Sequence, residues 1–260
     1  VKGFHDRGIK VILDMVLNHC SNEHKWFKEA SKSRNSPYYN YFHWWPGEKG
    51  EPPYRFSLFD KKGYGWKYNK PTNSYYLHYF GDFQPDLNWE NPQLREELYR
   101  IMRYWCDKGV DGFRMDALAF ISKDLSWPAL PKEYNGNWLM YYASGPHLHE
   151  YIQEMNREVL SKFDLVTVAE AFGDIPRVKK FVDEDRNELN MAYNFEAIDF
   201  GYLPGEFKMP DPNGFDLVQW KKIYTKWDSA FIDKGWGTVY LGNHDQPRML
   251  TRWGNDSPEF

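Results

Sequence analysis

Asp116 and Arg114 lie two positions apart in the segment GFRMDA, inside an apolar run that begins at Gly109. On a strand, residues two apart point to the same side. A guanidinium beside a carboxylate favours the ionised form, which suits Asp116 to act as a nucleophile. Glu170 ends a second run, Val166 to Ala169, which carries no charge. A carboxyl at the end of such a strand can keep its proton and act as a general acid. An ionised and a protonated carboxyl together are what glycosidic bond cleavage with retention requires, held roughly 5 to 5.5 Å apart. Neighbouring strands lie about 4.8 Å apart, so residues at adjacent strand ends meet that spacing.

Further polar residues fall where other apolar runs end: Asp14 to His19 after the first run, and Asn243 to Asp245 after the last. Any one of them alone is more often a cap or turn residue. Four such ends in chain order point to a single face, as in a β/α barrel, where the C-terminal ends of the strands carry the chemistry.

The elements that must position these groups follow from periodicity. Five runs enter from Gly, Asp or Leu and carry polar residues at or next to their ends: 8–19, 109–117, 164–171, 189–195 and 235–245. Short runs rich in Val, Ile, Leu and aromatics predict buried parallel strands. Between them, apolar residues three and four apart predict helices after Asn91-Pro92, after Pro146, over 174–182 and over 216–231. The alternation makes the chain α/β with a parallel sheet. Residues 21–86, rich in Tyr, Trp, Pro, Gly and Asn, predict an inserted subdomain with a strand near 75–80, since structureless loops of that length are rare. The expected organisation is 1–20 with 87–260 as one domain and 21–86 as the insertion. Residues 123–145 form a second polar, aromatic excursion. Asp211-Pro-Asn-Gly is a turn signal without the ligand series of a calcium loop.

Composition narrows the class. The chain has 260 residues and a net charge of -4, with no basic block, which argues against a nucleic-acid partner. No apolar run reaches the roughly 18 residues of a membrane span. Aromatic residues make up 19% of the chain, which fits both large cores and flat walls for sugar rings. Trp44, Trp45 and Trp66 are equally suited to either role. Cys20 and Cys106 form no disulfide framework or zinc spacing and are expected as buried free thiols. Two thiols fit a reducing, cytoplasmic compartment but leave localisation open. His147 and His149 share no metal spacing with a carboxylate and are expected to be structural. Asn255-Asp-Ser is a weak glycosylation signal with Pro258 after it.

The segments DMVLNH (14–19), QPDLN (84–88), GFRMDA (112–117), VAEAF (168–172) and GNHDQPR (242–248) resemble, in order, the signature regions of the α-amylase family. QPDLN and GNHDQPR are most similar to its α-glucosidase, oligo-1,6-glucosidase and sucrose-processing branch. The resemblance implies Asp116 as nucleophile, Glu170 as acid/base and Asp245 as transition-state stabiliser. It implies that Arg114 keeps Asp116 ionised and that His19 and His244 bind glucose. Gln84 and Arg248 would line the pocket, with Asp14 structural. It implies a partial (β/α)8 barrel, about strands three to seven, with no cofactor. Asn88 stands where amylases carry Asp, so no metal is expected. Ala117, where Val goes with α-1,6 preference in this branch, leans toward α-1,4 or sucrose-like substrates. The first two strands, the eighth and the C-terminal β domain have no counterpart, so the chain is expected to be an inactive fragment of an active parent, with an open sheet edge. Its N-terminal segment, with any signal peptide, is expected to be left out.

Two other readings of the same pattern are a sucrose isomerase or transglucosylase and a non-catalytic transporter heavy chain. Residues 199–216 contain none of the Arg residues of the isomerase loop, and all three carboxylates are present, which favours hydrolysis. The expected partner is a small oligosaccharide; oligomeric state is left open.

Overall fold

The computed structural model describes residues 1–260 apart from 135, 144, 204–207, 255, 256, 258 and 260. Three parallel strands organise the first part of the chain: β1 (Ile12–Val16), β5 (Gly112–Asp116) and β6 (Val166–Ala169). β5 lies in the middle. Ile12 faces Gly112 and Val16 faces Asp116 on one side, while Gly112 faces Val166 and Met115 faces Ala169 on the other. Gly112 is required where it stands, because a Cβ there would fall 2.0 Å from the Val166 carbonyl oxygen. β1 forms an edge on which Ile12 and Val16 remain exposed.

Helices form where the periodicity places them. Asn91 caps the Pro92–Asp107 helix by accepting from the Gln93 N–H at 2.9 Å, and Pro92 occupies the first turn, where no N–H is needed. The helix buries Leu94, Leu98, Tyr99, Met102 and Cys106, each such side chain stabilising by about 1.5–3 kcal/mol when fully covered. The second helix, Leu148–Glu158, starts two residues after Pro146 and buries Leu148, Tyr151, Ile152 and Met155.

Between β1 and β5 the chain forms a short helix, Lys25–Ala30, and an antiparallel sheet of β2 (Trp44–Pro46), β4 (Ser74–Leu77) and β3 (Trp66–Asn69), with β4 central. The strand expected near 75–80 is thus β4. The three tryptophans left open by sequence are now placed. Trp66 is buried, donates to the Pro53 carbonyl at 2.9 Å and packs edge-on against Trp127. Half-buried Trp44 stacks on Tyr39, and half-buried Trp45 carries Lys49 over its ring. Trp66 and Trp44 therefore serve packing.

The chain divides into two compact units, Val1–Phe172 and Gly173–Phe260. This division follows a different line from the 21–86 boundary expected from composition: the inserted sheet belongs with the first strands. The second unit holds the Ile175–Val182 helix capped by Asp174, a two-residue strand β7 (Met191–Ala192), and the Leu217–Phe231 helix capped by Asp216. Asp211 turns the chain by accepting the Asn213 N–H on its side chain. The fifth expected strand is a correction. Within 235–245 only Trp236 bridges, to Met191, and no ladder follows among the described residues. Trp236, Val239 and Leu241 are exposed; an apolar run without a hydrogen-bonded neighbour on both sides has nothing to hold it as a buried strand. The glycosylation pattern begins at a residue outside the described ones.

Candidate active site

Two clusters form where the parallel strands end in the first unit. At the first, Arg114 projects from β5 and is buried. Its Nη1 donates to Asp116, on the same strand face, and to Asp14 Oδ1 at 2.8 Å, while its Nη2 donates to Glu170. Glu170 stands one residue past β6, and its backbone N–H bonds the Met115 carbonyl, extending the ladder. Its second oxygen accepts from the Ala117 N–H at 2.9 Å. Burial opposes the Arg114 charge, yet hydrogen bonding to Asp14 and Asp116 and the charge of Glu170 outweigh it and raise its pKa. One cation thus ties three carboxylates from three strands. Asp14, expected to be structural, is one of its partners. The sequence links Arg114 to Asp116; its pairing with Glu170 is an addition from the structure.

Ala117, directly after Asp116, is buried and adopts φ 47°, in the left-handed region. That turn aims its N–H at Glu170. A β-branched residue is poorly tolerated at such a φ.

The second cluster surrounds His19. The segment after β1 and the QPDLN segment run antiparallel through the His19–Asp86 bridge, with Leu87 N–H donating to Asn18 O at 2.8 Å and Cys20 N–H to Pro85 O at 3.3 Å. This alignment brings Gln84 Nε2 within 3.0 Å of His19 Nε2. The His19 ring also packs on Phe80 at 5.1 Å between centroids. Burial lowers the His19 pKa, with Asp86 opposing and Lys123 adding to the effect, so the imidazole is neutral near pH 7.

Beneath His19 lies a group that the sequence reading passed over. Lys123 and Asp86 are fully buried and paired at 3.0 Å. Lys123 Nζ donates to Asn18 Oδ1 at 2.6 Å and to the Phe120 carbonyl at 2.7 Å. The available signal was a single Lys closing the apolar stretch Leu118 to Ile121. A cavity of about 140 Å³ is lined by Lys123, Arg55, Tyr79 and Tyr142 but by none of the candidate catalytic or sugar-binding residues.

Asp245, His244 and Arg248 belong to the second unit. Asp245 sits on an exposed turn, its N–H donating to Asn243 Oδ1 at 2.9 Å and its carboxylate 3.6 Å from His244 Nε2. Arg248 is exposed and precedes the Met249–Trp253 helix. The first unit therefore brings together His19 with Gln84, and Arg114 with Asp116 and Glu170.

Both cysteines are free; Cys106 is buried, while Cys20 is only half-buried. Burial raises their thiols to about 11 and about 12 respectively, leaving neither a reactive thiolate at neutral pH. His147 bonds Glu150 at 3.0 Å within its own helix turn. Among the described residues, no three His, Cys, Asp or Glu side chains are grouped to hold a metal ion, and no helix is long and apolar enough to cross a membrane.

Comparison with known proteins bears on what this geometry is. The profile of the alpha amylase catalytic domain matches residues 1–259. An oligo-1,6-glucosidase of Heyndrickxia coagulans is 47% identical over 264 residues, covering 97% of this chain and 46% of that protein. An α-glucosidase of Candida albicans is 41% identical over 275 residues, covering 100% of this chain and 47% of that one. The chain thus spans about half the length of the curated relatives it matches. Among solved structures, the isomaltulose synthase of Erwinia rhapontici NX5 superposes with a TM-score of 0.91 at 38% identity, over 99% of this chain and 46% of that one. The isomaltulose synthase of Klebsiella sp. LX3 gives 0.92 at 40% identity over the same shares.

Proposed function

Because the chain belongs to the α-amylase family of glycoside hydrolases, we propose that the protein containing it is a retaining α-glucosidase that releases terminal glucose from small oligosaccharides. The observation that carries this reading is the Asp116–Arg114–Glu170 arrangement at the ends of adjacent strands. Asp116 attacks the anomeric carbon while the bond to the leaving oxygen breaks, giving a covalent glucosyl-enzyme. Glu170 protonates the leaving oxygen, then takes a proton from the water that attacks the same carbon and releases Asp116. To deliver that proton, Glu170 must free an oxygen from the donors it accepts from, among them Arg114 Nη2 and the Ala117 N–H. Asp245 grips sugar hydroxyls and stabilises the oxocarbenium-like transition state. His19 and His244 hydrogen-bond the glucose, and Gln84 and Arg248 line its pocket.

We read the three parallel strands as an arc of an eight-stranded barrel, with 21–86 as the segment inserted into it. A barrel arc with an exposed edge at β1 does not complete a pocket, so activity belongs to the whole protein rather than to these 260 residues alone. The test is turnover of an aryl α-glucoside by the complete protein and by this chain; normal turnover by this chain contradicts the second half of the proposal.

For linkage, Ala117 removes bulk beside the scissile bond and favours α-1,4 or sucrose-like substrates. The relatives named oligo-1,6-glucosidase favour the other linkage. Rates on maltose, isomaltose and sucrose separate the two, and a strong isomaltose preference removes the Ala117 argument. A sucrose isomerase is the second reading, favoured by the likeness to isomaltulose synthases. Hydrolysis is preferred because 199–216 contains no Arg; isomaltulose or trehalulose as main products from sucrose would reverse that preference.

A further inference from the structure

We propose that Lys123, acting through Asn18, fixes His19 as the tautomer protonated on Nε2, so that the ring presents a hydrogen-bond donor to the sugar. The kinetic consequence rests on the reading of His19 as a glucose-binding residue; the tautomer itself does not. Lys123 donates to Asn18 Oδ1 at 2.6 Å and to the Phe120 carbonyl at 2.7 Å, and its charge is paired with Asp86 Oδ2 at 3.0 Å. An ammonium accepts nothing, so the end of the Asn18 amide that faces it has to be the oxygen. The other end is then the NH2 group, which lies 3.3 Å from His19 Nδ1. A donor at that position needs a bare nitrogen to accept it. A neutral imidazole carries one proton, which leaves it on Nε2.

The pair is held against rearrangement. Lys123 and Asp86 side chains are fully buried, Asp86 Oδ1 also accepts the Tyr79 N–H at 3.1 Å, and Asn18 is completely buried. Rotating the Asn18 amide would set NH2 against NH3+, so the orientation is locked by charge and not by packing alone. On the far side of the ring, His19 Nε2 lies 3.0 Å from Gln84 Nε2, while Gln84 Oε1 accepts the Gly81 N–H at 3.2 Å. With the His19 proton on Nε2, the Gln84 NH2 group 3.0 Å away is a facing donor and cannot accept it. Gln84 is anchored by the neutral Gly81 N–H and not by a charge, so it is the side chain that gives way, and the Nε2 proton is left to bond a sugar hydroxyl. Lys123 is thus a positioning residue: it acts on the substrate only through Asn18 and His19.

The test is long-range proton–nitrogen NMR of the complete, nitrogen-15-labelled protein, with the His19 signals assigned by their loss in His19→Gln. The expected spectrum shows a bare Nδ1 and a protonated Nε2. In Asn18→Asp, a carboxylate accepts from both Lys123 and the ring, so the proton is expected to move to Nδ1. With it, kcat/KM for an aryl α-glucoside falls about tenfold, carried mainly by KM. In Lys123→Met combined with Asp86→Asn, which keeps the buried charge balanced, the two tautomers are expected to mix. A wild-type ring protonated on Nδ1, or a tautomer unchanged in Asn18→Asp, overturns the proposal. The wild-type spectrum decides even where a variant fails to fold. A complete protein that shows the Nε2 proton yet turns over no α-glucoside supports the tautomer and overturns the functional reading instead.

Discussion

Arg114 and Asp116 stand two residues apart on one face of β5 and are joined by a hydrogen bond between guanidinium and carboxylate. The same guanidinium reaches Asp14 on β1 and Glu170 beyond β6, so a single side chain sets the charge balance of the proposed catalytic pair. Arg114→Leu is expected to lower kcat on an aryl α-glucoside by about 10²–10³-fold, with a smaller change in KM, because it removes a preorganised charge from the site. Arg114→Lys is expected to recover little, since a point charge does not reproduce a fork that bonds several carboxylates at once. Steady-state kinetics on the two variants checks both statements, and full recovery by Lys contradicts the fork.

The buried Lys123–Asp86 pair gives a stability prediction. Removing one partner leaves the other charge buried and uncompensated, so Lys123→Met or Asp86→Leu is expected to cost about 3–5 kcal/mol. Lys123→Met with Asp86→Leu together is expected to cost less than either single change, and urea denaturation of the three variants measures the difference.

Ala117 combines burial with φ 47°. Ala117→Val is expected to cost about 1–3 kcal/mol from backbone strain. If the linkage reading holds, it also raises the isomaltose-to-maltose ratio of kcat/KM by about tenfold. Thermal unfolding and the two substrates measure the two effects separately.

Three histidines give a pH dependence. Burial lowers the pKa of His19, of His43 well below its ordinary value, and of His78 to about 4. Their unfolded value is about 6.5, so the unfolded chain binds more protons in between. Stability from these groups is full above about pH 6.5 and is lost as pH falls toward 4. His78→Gln is expected to flatten the slope of stability against pH in that window, as measured by urea denaturation at a series of pH values.

How far the sequence carried the argument depends on the range of the interaction involved. Arg114 beside Asp116 was legible because strand periodicity is local. The helix starts near Asn91, Asp174 and Asp216 were legible for the same reason. The bond from Arg114 to Glu170 was not, because it depends on the register of β5 against β6, and two separate runs do not disclose how they align. Lys123 was hidden for a related reason: a lone Lys closing an apolar stretch gains meaning only when Asp86 and Asn18 are brought to it. The 235–245 run misled, since Gly, Val, Tyr and Leu in sequence suggest a strand, whereas a strand is made by its neighbours. The division at Phe172 and Gly173 was not legible, because the alternation of apolar runs and helical stretches continues across it.

The central claim is that Asp116 forms a covalent bond to glucose. The complete protein, treated with a fluorinated glucosyl substrate that forms the intermediate quickly and loses it slowly, is digested and its peptides weighed. The account predicts one added sugar on the peptide carrying Asp116, absent in Asp116→Asn, with α-glucose as the first product from a normal substrate. An adduct on another residue, or β-glucose as the first product, contradicts it.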